Sequence, residues 1–270
     1  MSLKSEWRRM RSDIRSAYKS EDTEEFFDRI FTKPLGYLWA RLFMRLGWTP
    51  NMVTLLSMAI GFAGGWLFYP ESFTLNLIGV LLVIWANILD STDGQLARLT
   101  GNKSTLGRIL DALSTSVWYV AIDCALCLRL MSKPIPFSGG RPWGGLIWLV
   151  VVICEFAGHQ RQCMLADYYR NIHLFFLKNK NGSELDRSRD IARARAKLPW
   201  KGARFQKLYL YFYGLYTRLQ ELSTPSFQRL FKAIEENGGE VDEAVRQDYL
   251  AQSRKYIQLT NILTFNTRAY

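Results

Sequence analysis

The chain has 270 residues and a formal net charge of +11, and 49% of its residues are hydrophobic and 14% aromatic. Its apolar residues are bunched into long runs, which is typical of an integral membrane protein and argues against a single soluble domain. The Lys and Arg residues gather at the edges of these runs, as expected for contact with anionic headgroups, and no nucleic-acid recognition motif accompanies them. We therefore expect membrane lipids as partners and no nucleic acid.

The first 48 residues predict amphipathic helices at the membrane interface. Residues 1–19 are charged but lack the apolar core of a signal peptide, so no cleaved targeting segment is expected. The acidic residues from Asp22 can begin a helix, which we expect Pro34 to interrupt. The apolar positions of the two stretches are Phe26, Phe27, Ile30 and Phe31, then Leu35, Leu38, Trp39, Leu42, Phe43 and Leu46. An interfacial lead-in to the core and a plain juxtamembrane anchor both fit this pattern.

Four apolar runs then predict membrane spans, each near the roughly 20 residues that a bilayer requires once flanks are included. They cover residues 52–69, 75–89, 106–131 and 144–166. Basic residues precede the first run and follow the second and fourth, which by the positive-inside rule predicts that both termini are cytoplasmic. We expect an all-α integral membrane protein, with a polytopic transmembrane helix bundle at 49–177. Residues 178–270 are expected to be a cytoplasmic or interfacial helical region, in which the aromatic segment 208–216 is too short to span.

Between the second and third runs lies the pattern Asp90-x2-Asp93-Gly94-x2-Ala97-Arg98-x8-Gly107-x3-Asp111. Asp90 and Asp93 are spaced i, i+3 and share one helix face. Gly94 and Ala97 remove side-chain bulk beside that face, so a phosphate ligand could approach the backbone while the acids hold a divalent cation, Mg²⁺ or Mn²⁺. The predicted topology puts this site at the cytoplasmic mouth of spans two and three.

The competing interpretation is a set of acids that solvate helix ends at a membrane boundary. Seven fixed residues, each with a frequency of roughly one in fifteen, coincide by chance on the order of once in a hundred million windows. Chance therefore does not account for the pattern.

The motif resembles the signature of the CDP-alcohol phosphotransferase family of integral membrane enzymes. The resemblance implies that Asp90, Asp93 and Asp111 bind the metal. The family pattern continues with a fourth Asp, the usual general base, four residues after the third; this chain has Thr115 there. Family members usually have six transmembrane helices, and the last two are not evident here.

The resemblance also implies a function. A polar alcohol would attack a CDP-linked lipid such as CDP-diacylglycerol, and CMP would leave. Gly94, Ala97, Arg98, Gly107 and Arg108 are the candidates for contact with the CDP-lipid. The absence of the fourth Asp is also consistent with an alternative, in which the protein is a non-catalytic relative that binds CDP-lipid and metal as a regulatory or assembly subunit. A homodimer is implied by the resemblance alone.

Two arginines after the fourth run, Arg161 and Arg170, are candidates for binding a phosphate on the acceptor. They favour a phosphorylated alcohol such as inositol phosphate. Positive-inside anchoring explains the same residues equally well.

Overall fold

A computed structural model of the chain describes residues 20, 22–23, 28–102, 105–178, 185–200 and 202–263. Over these residues the chain is all-α, as predicted, and the only β-type pairing is an isolated bridge between Pro134 and Pro142. The described chain divides into two compact units. The first unit covers 28–156, and the second covers 157–263 together with residues 20, 22 and 23.

The helices are numbered in chain order. The first unit holds a π-helical turn, Asp28–Thr32, and then α1 (Lys33–Arg45), α2 (Pro50–Trp66), α3 (Phe73–Thr100), α4 (Thr105–Leu130) and α5 (Leu146–Ile153). A π-helical segment, Cys154–Gln160, follows α5. The second unit holds α6 (Arg161–Lys178), α7 (Ser188–Lys197), α8 (Arg204–Ser223), α9 (Pro225–Glu236), α10 (Glu243–Tyr256) and a 3₁₀ helix, Ile257–Leu263.

Pro34 does not break the N-terminal helix, contrary to the sequence prediction. The π-helical turn Asp28–Thr32 runs directly into α1, and Pro34 lies in the first turn of α1. Proline is tolerated there because the first amide groups of a helix have no partner within the helix. Phe26 and Phe27 lie outside the described residues, and the interfacial position of α1 stays a prediction.

Two helical segments are long and apolar enough to cross a membrane among the described residues, Phe73–Thr100 and Leu113–Leu130. They correspond to the second and third predicted spans. The first predicted span, 52–69, overlaps α2 (Pro50–Trp66), which has 17 residues. The fourth, 144–166, is divided among α5, the π-helical segment and the start of α6, and the unit boundary falls inside it. The first and fourth spans and the orientation of the chain therefore stay predictions.

Helix α3 is longer than one membrane crossing. It begins at Phe73, where the Ser72 side chain accepts from the Leu75 amide, and it has 28 residues. The helix ends at Thr100 and is capped by Gly101, whose φ of 69° is a left-handed conformation that favours glycine. Asp90 and Asp93 lie about 20 residues along the helix, which is close to the length that crosses a hydrocarbon layer of about 30 Å.

Glycines let α2 lie directly against both α3 and α4. A β-carbon on Gly61 would lie 2.0 Å from Cδ1 of Trp118 in α4, and Gly65 faces α4 one turn later. On the side of α3, a β-carbon on Gly79 would lie 2.7 Å from the carbonyl oxygen of Gly64. Small residues of this kind allow close backbone packing between membrane helices. Helix α2 is therefore the element on which α3 and α4 are both positioned.

The two loops at one end of this helix group are tied together. Glu71, between α2 and α3, pairs with Lys133, after α4, at 2.6 Å. The Arg129 guanidinium donates to the Phe68 carbonyl oxygen at 3.1 Å and to Asn76 Oδ1 at 3.3 Å. The loop between α3 and α4, with the acidic motif beside it, consequently lies at the opposite end.

Helix α6 carries the core of the second unit. Its residues Ile172, Phe175 and Phe176 are buried against Phe231 and Ile234 of α9. Gly238 and Gly239, with φ of 87° and 84°, turn the chain between α9 and α10.

The Gly61 contact predicts a large effect of a single methyl group. Gly61→Ala should lower the free energy of unfolding by about 1–3 kcal/mol, because the new β-carbon has no room beside Trp118. Thermal unfolding of the purified protein in detergent measures this. Gly145→Ala is the matched control, since no atom of a described residue lies within 4 Å of its β-carbon position. An equal melting temperature for Gly61→Ala and the parent protein would contradict the packing.

Candidate functional site

The three acids of the motif meet at the helix end opposite the Glu71–Lys133 pair. Asp90 and Asp93 come from α3 and Asp111 comes from the second turn of α4, and carboxylate oxygens of all three lie within 4.8 Å of one another. Asp93 is buried at 4% exposure, Asp90 is half-buried and Asp111 is exposed. The cluster is therefore closed on the protein side and open on the side of Asp111.

Two hydroxyl groups hold the α3 acids in place. Thr54 in α2 donates to the Asp93 carboxylate, and its oxygen lies 3.1 Å from the Pro50 carbonyl oxygen. Ser114 in α4 donates to Asp90, and its oxygen lies 2.8 Å from the carbonyl oxygen of Asp111. Each α3 acid is thus oriented by a neighbouring helix.

Sequence reasoning did not identify either hydroxyl as part of the site. Thr54 is a buried polar residue one turn inside a mostly apolar helix, and Ser114 is fully buried beside Thr115. Burial of a polar group inside a membrane segment costs free energy unless the group has a partner. The presence of Thr54 in a predicted span was therefore the signal that could have indicated a partner for its hydroxyl. Nothing in the local sequence distinguished Ser114 from Ser116.

The donor set fits a hard divalent cation. Three carboxylates at this separation repel one another in a low-dielectric environment unless positive charge lies between them. All the potential ligands are oxygen atoms, which Mg²⁺ and Mn²⁺ prefer over the nitrogen and sulfur ligands that suit zinc. The arrangement can therefore hold Mg²⁺ or Mn²⁺.

The surface beside the acids on α3 is open. Among the described residues, a β-carbon on Gly94 would meet only the guanidinium of Arg98, at 3.6 Å from Nη1 and 4.0 Å from Nη2. Ala97, on the same helix face, is half-buried, and Arg98 is exposed. Packing between helices explains Gly61, but it does not explain a glycine at position 94. The lack of a side chain there leaves room for a ligand.

On α4 the motif residues share the face of Asp111. Gly107 precedes Asp111 by four residues, and Thr115 follows it by four, so the three lie one above another. Thr115 is half-buried. The backbone of Arg108 lies in the first turn of α4, but its side chain falls outside the described part of the structure.

Arg161 and Arg170 belong to the second unit. Arg161 is the first residue of α6 and is exposed, whereas the half-buried Arg170 donates through Nε to Thr260 at 3.3 Å. Nine residues separate them, which places them on opposite sides of the helix. The geometry of α6 therefore does not favour binding of one phosphate by both arginines. The role of Arg161 and Arg170 in acceptor binding stays a prediction.

Comparison with known proteins agrees with this geometry. Residues 47–161 match the family model of the CDP-alcohol phosphatidyltransferases, and this range contains all three acids, Thr54 and Ser114. Residues 47–161, less than half of the chain, are therefore similar to a CDP-alcohol phosphatidyltransferase domain. The family resemblance inferred from the motif is thereby confirmed over residues 47–161.

Curated relatives carry a more specific name. A phosphatidylinositol phosphate synthase of Mycobacterium tuberculosis (strain ATCC 25618 / H37Rv) is 33% identical over 88 residues, which is 32% of this chain and 39% of the relative. One from Mycobacterium marinum (strain ATCC BAA-535 / M) is 31% identical over 120 residues, 44% of this chain and 40% of the relative. The match thus spans about two fifths of the length of these relatives. No solved structure matches the chain.

The hydroxyl that holds Asp90 predicts a measurable loss of metal affinity. Ser114→Ala should weaken Mn²⁺ binding about 10-fold or more, because groups that orient metal ligands typically contribute on that scale. Titration of the purified protein with Mn²⁺, followed by electron paramagnetic resonance, measures this. Ser116→Ala is the matched control, since Ser116 is exposed on the same helix and makes no hydrogen bond to these acids. Equal affinities for the two variants would argue against an orienting role.

Proposed function

We propose that this chain transfers a phosphatidyl group from a CDP-linked lipid, such as CDP-diacylglycerol, to a polar alcohol, with inositol phosphate as the preferred acceptor. The observation that carries the proposal is the convergence of Asp90, Asp93 and Asp111 beside the open surface at Gly94. The family match supports the reaction class, and the names of the mycobacterial phosphatidylinositol phosphate synthases support the acceptor.

In this reaction an acceptor hydroxyl oxygen forms a bond to the β-phosphorus of the CDP-lipid. The bond from that phosphorus to the oxygen bridging the two phosphates breaks, and CMP leaves with the electron pair. The divalent cation, when bound, supplies positive charge against the diphosphate and the leaving CMP.

The protein's residues divide the remaining work. The three acids hold the cation, while Gly94 and Ala97 let the diphosphate approach α3. The exposed guanidinium of Arg98, already positioned over Gly94, offers bidentate donors to a phosphate oxygen. Gly107 and Arg108 are proposed to contact the nucleotide from α4.

The acceptor hydroxyl must also lose its proton. Thr115 occupies the position of the usual base, but an aliphatic hydroxyl cannot accept a proton at neutral pH. We assign Thr115 the role of orienting the acceptor hydroxyl, and the proton goes to the acceptor's own phosphate, whose second pKa is about 6. This assignment favours a phosphorylated acceptor over free inositol.

A second function is favoured by Thr115 itself. A relative without the fourth acid could bind CDP-lipid and metal without turnover and act as a regulatory or assembly subunit. The two functions differ in one observable, the release of CMP.

Metal-dependent release of CMP from CDP-diacylglycerol by the purified protein tests the proposal. We expect release with inositol phosphate and little with inositol, glycerol phosphate or serine, and we expect none for Asp93→Asn. Metal-dependent CDP-lipid binding without release from any acceptor would instead support the non-catalytic function. Release that is insensitive to Asp93→Asn would contradict the assigned site.

Gly94 separates binding from folding. Gly94→Ala should leave the melting temperature unchanged or slightly higher, because alanine favours a helix by about 1 kcal/mol and no neighbouring helix is touched. The same methyl group should reduce affinity for CDP-diacylglycerol about 10-fold, which is the effect of a crowded contact of 1–3 kcal/mol. Lipid binding and thermal unfolding are measured on one preparation, with Gly145→Ala as the control. Unchanged lipid affinity would mean that the ligand does not approach α3 at Gly94.

Restoring the fourth acid should increase turnover. Thr115→Asp puts a carboxylate one helical turn from Asp111, and a well-placed general base contributes about 100-fold or more to a rate. CMP release with free inositol is the sensitive measurement, since that acceptor brings no phosphate of its own. Thr115→Asn is the matched control, because asparagine is close to aspartate in size but cannot act as a base. An equal increase in both variants would contradict the proposed role of position 115.

A further inference from the structure

Helix α8 exposes a continuous row of large apolar side chains. They recur at i, i+3, i+7, i+10, i+14 and i+17, so they form one stripe along the helix. We call this stripe the α8 apolar face; it consists of Phe205, Leu208, Phe212, Leu215, Leu219 and Leu222. Phe205 is 88% exposed, Phe212 58% and Leu222 68%. A contiguous apolar row on this scale marks a contact surface.

The other side of α8 is already occupied by its own unit. Gln220 is buried and donates to the Met164 carbonyl oxygen of α6 at 3.2 Å. Tyr213 donates to Asp186 at 2.8 Å, and a β-carbon on Gly214 would lie 3.4 Å from Ile191 of α7. Because these contacts fix the rotation of the helix, the α8 apolar face is directed away from the core of the second unit.

Positive charge lies along one flank of the face and on the neighbouring helix α7. Residues 188–223 contain eight Lys and Arg and two acids, a net charge of +6. One of the acids, Glu221, accepts hydrogen bonds from the Ser188 amide and hydroxyl. Arg204 and Arg218 are exposed along one flank of the face, and Arg193 on α7 is exposed but pairs with Asp190 at 3.4 Å. Such a surface is complementary to anionic headgroups.

Aromatic residues border the same face. Trp200 is exposed and lies beneath the Lys207 ammonium, at 4.3 Å from the ring centroid. The Arg195 guanidinium lies 5.1 Å from the Tyr211 ring, and Tyr216 is exposed on the other flank. Trp and Tyr are enriched where a membrane meets water, and Lys and Arg extend from there towards the headgroups.

A second copy of the chain is a poorer match. The apolar spacing would suit a two-stranded coiled coil, in which the flanking positions specify the partner through opposite charges. One flank carries Arg204, Tyr211 and Arg218, and the other carries Tyr209 and Tyr216. Neither flank offers a carboxylate, and an antiparallel pair would place Arg204 opposite Arg218 of the other copy. An anionic lipid surface supplies the negative charge that a second copy lacks.

We propose that α7 and α8 form a membrane-surface module, in which the α8 apolar face enters the interfacial layer and the neighbouring basic residues bind anionic headgroups. This inference does not depend on the transferase function, because it rests on residues of the second unit alone.

A photoreactive residue on the face tests the proposal in the full chain. p-Benzoylphenylalanine replaces Phe212, and separately the more exposed Phe205, in protein reconstituted into vesicles with or without anionic phosphatidylglycerol. Gln247, exposed on α10, is the control position. We expect lipid adducts at Phe212 and Phe205 several-fold above Gln247, with a higher yield when anionic lipid is present. The double change Arg204→Glu and Arg218→Glu should lower that yield, whereas Lys232→Glu on α9 should not.

The mass of the cross-linked product separates the outcomes. A covalent dimer would overturn the proposal in favour of self-association. Insertion into the chain itself, or a lipid yield no higher than at Gln247, would overturn it by showing that the face is covered or in water. Equal yields of lipid adduct in neutral and anionic vesicles would contradict the proposed binding of anionic headgroups by the basic residues.

Discussion

The close packing of α2 against α3 and α4 is the constraint on which the acidic site depends. Gly61 and Gly65 allow α4 to pack closely on α2, and Gly64 with Gly79 allows α3 to do the same. Both helices of the motif are therefore positioned by α2. A wider separation would move Asp111 away from Asp90 and Asp93, whose oxygens now lie within 4.8 Å. Helix α2 also contributes Thr54, which holds Asp93. The glycines thus connect helix packing with metal-binding geometry.

The glycines of this domain serve two different purposes. Gly61, Gly64 and Gly79 are needed because protein atoms occupy the space of a side chain, whereas at Gly94 the guanidinium of Arg98 is the one near group in the described part of the chain. A glycine that packing does not require is a costly choice inside a helix, by about 1 kcal/mol relative to alanine. Its position beside the acids is consistent with a ligand that approaches the backbone there, and this supports the proposed CDP-lipid site.

Local spacing and hydropathy predicted the helical class, the acidic cluster and the two longest apolar helices, because each of these is encoded by residues close together in the chain. The partners of the acids were not predicted, since Thr54 and Ser114 reach Asp93 and Asp90 across helix interfaces. The prediction that Pro34 interrupts the helix was wrong, because a proline in a helical pattern is compatible both with the end of one helix and with the first turn of the next. The fourth predicted span covers α5, a π-helical segment and part of α6, a division that mean hydropathy does not reveal.

The location of a bound cation is the most direct test of the site. Crystals of the full chain grown with Mn²⁺ and CDP-diacylglycerol would give anomalous scattering from the metal alone. The account predicts a peak within about 2.5 Å of carboxylate oxygens from Asp90, Asp93 and Asp111, next to the lipid diphosphate. A peak bound by other residues, or a bound CDP-lipid with no metal between these acids, would contradict it.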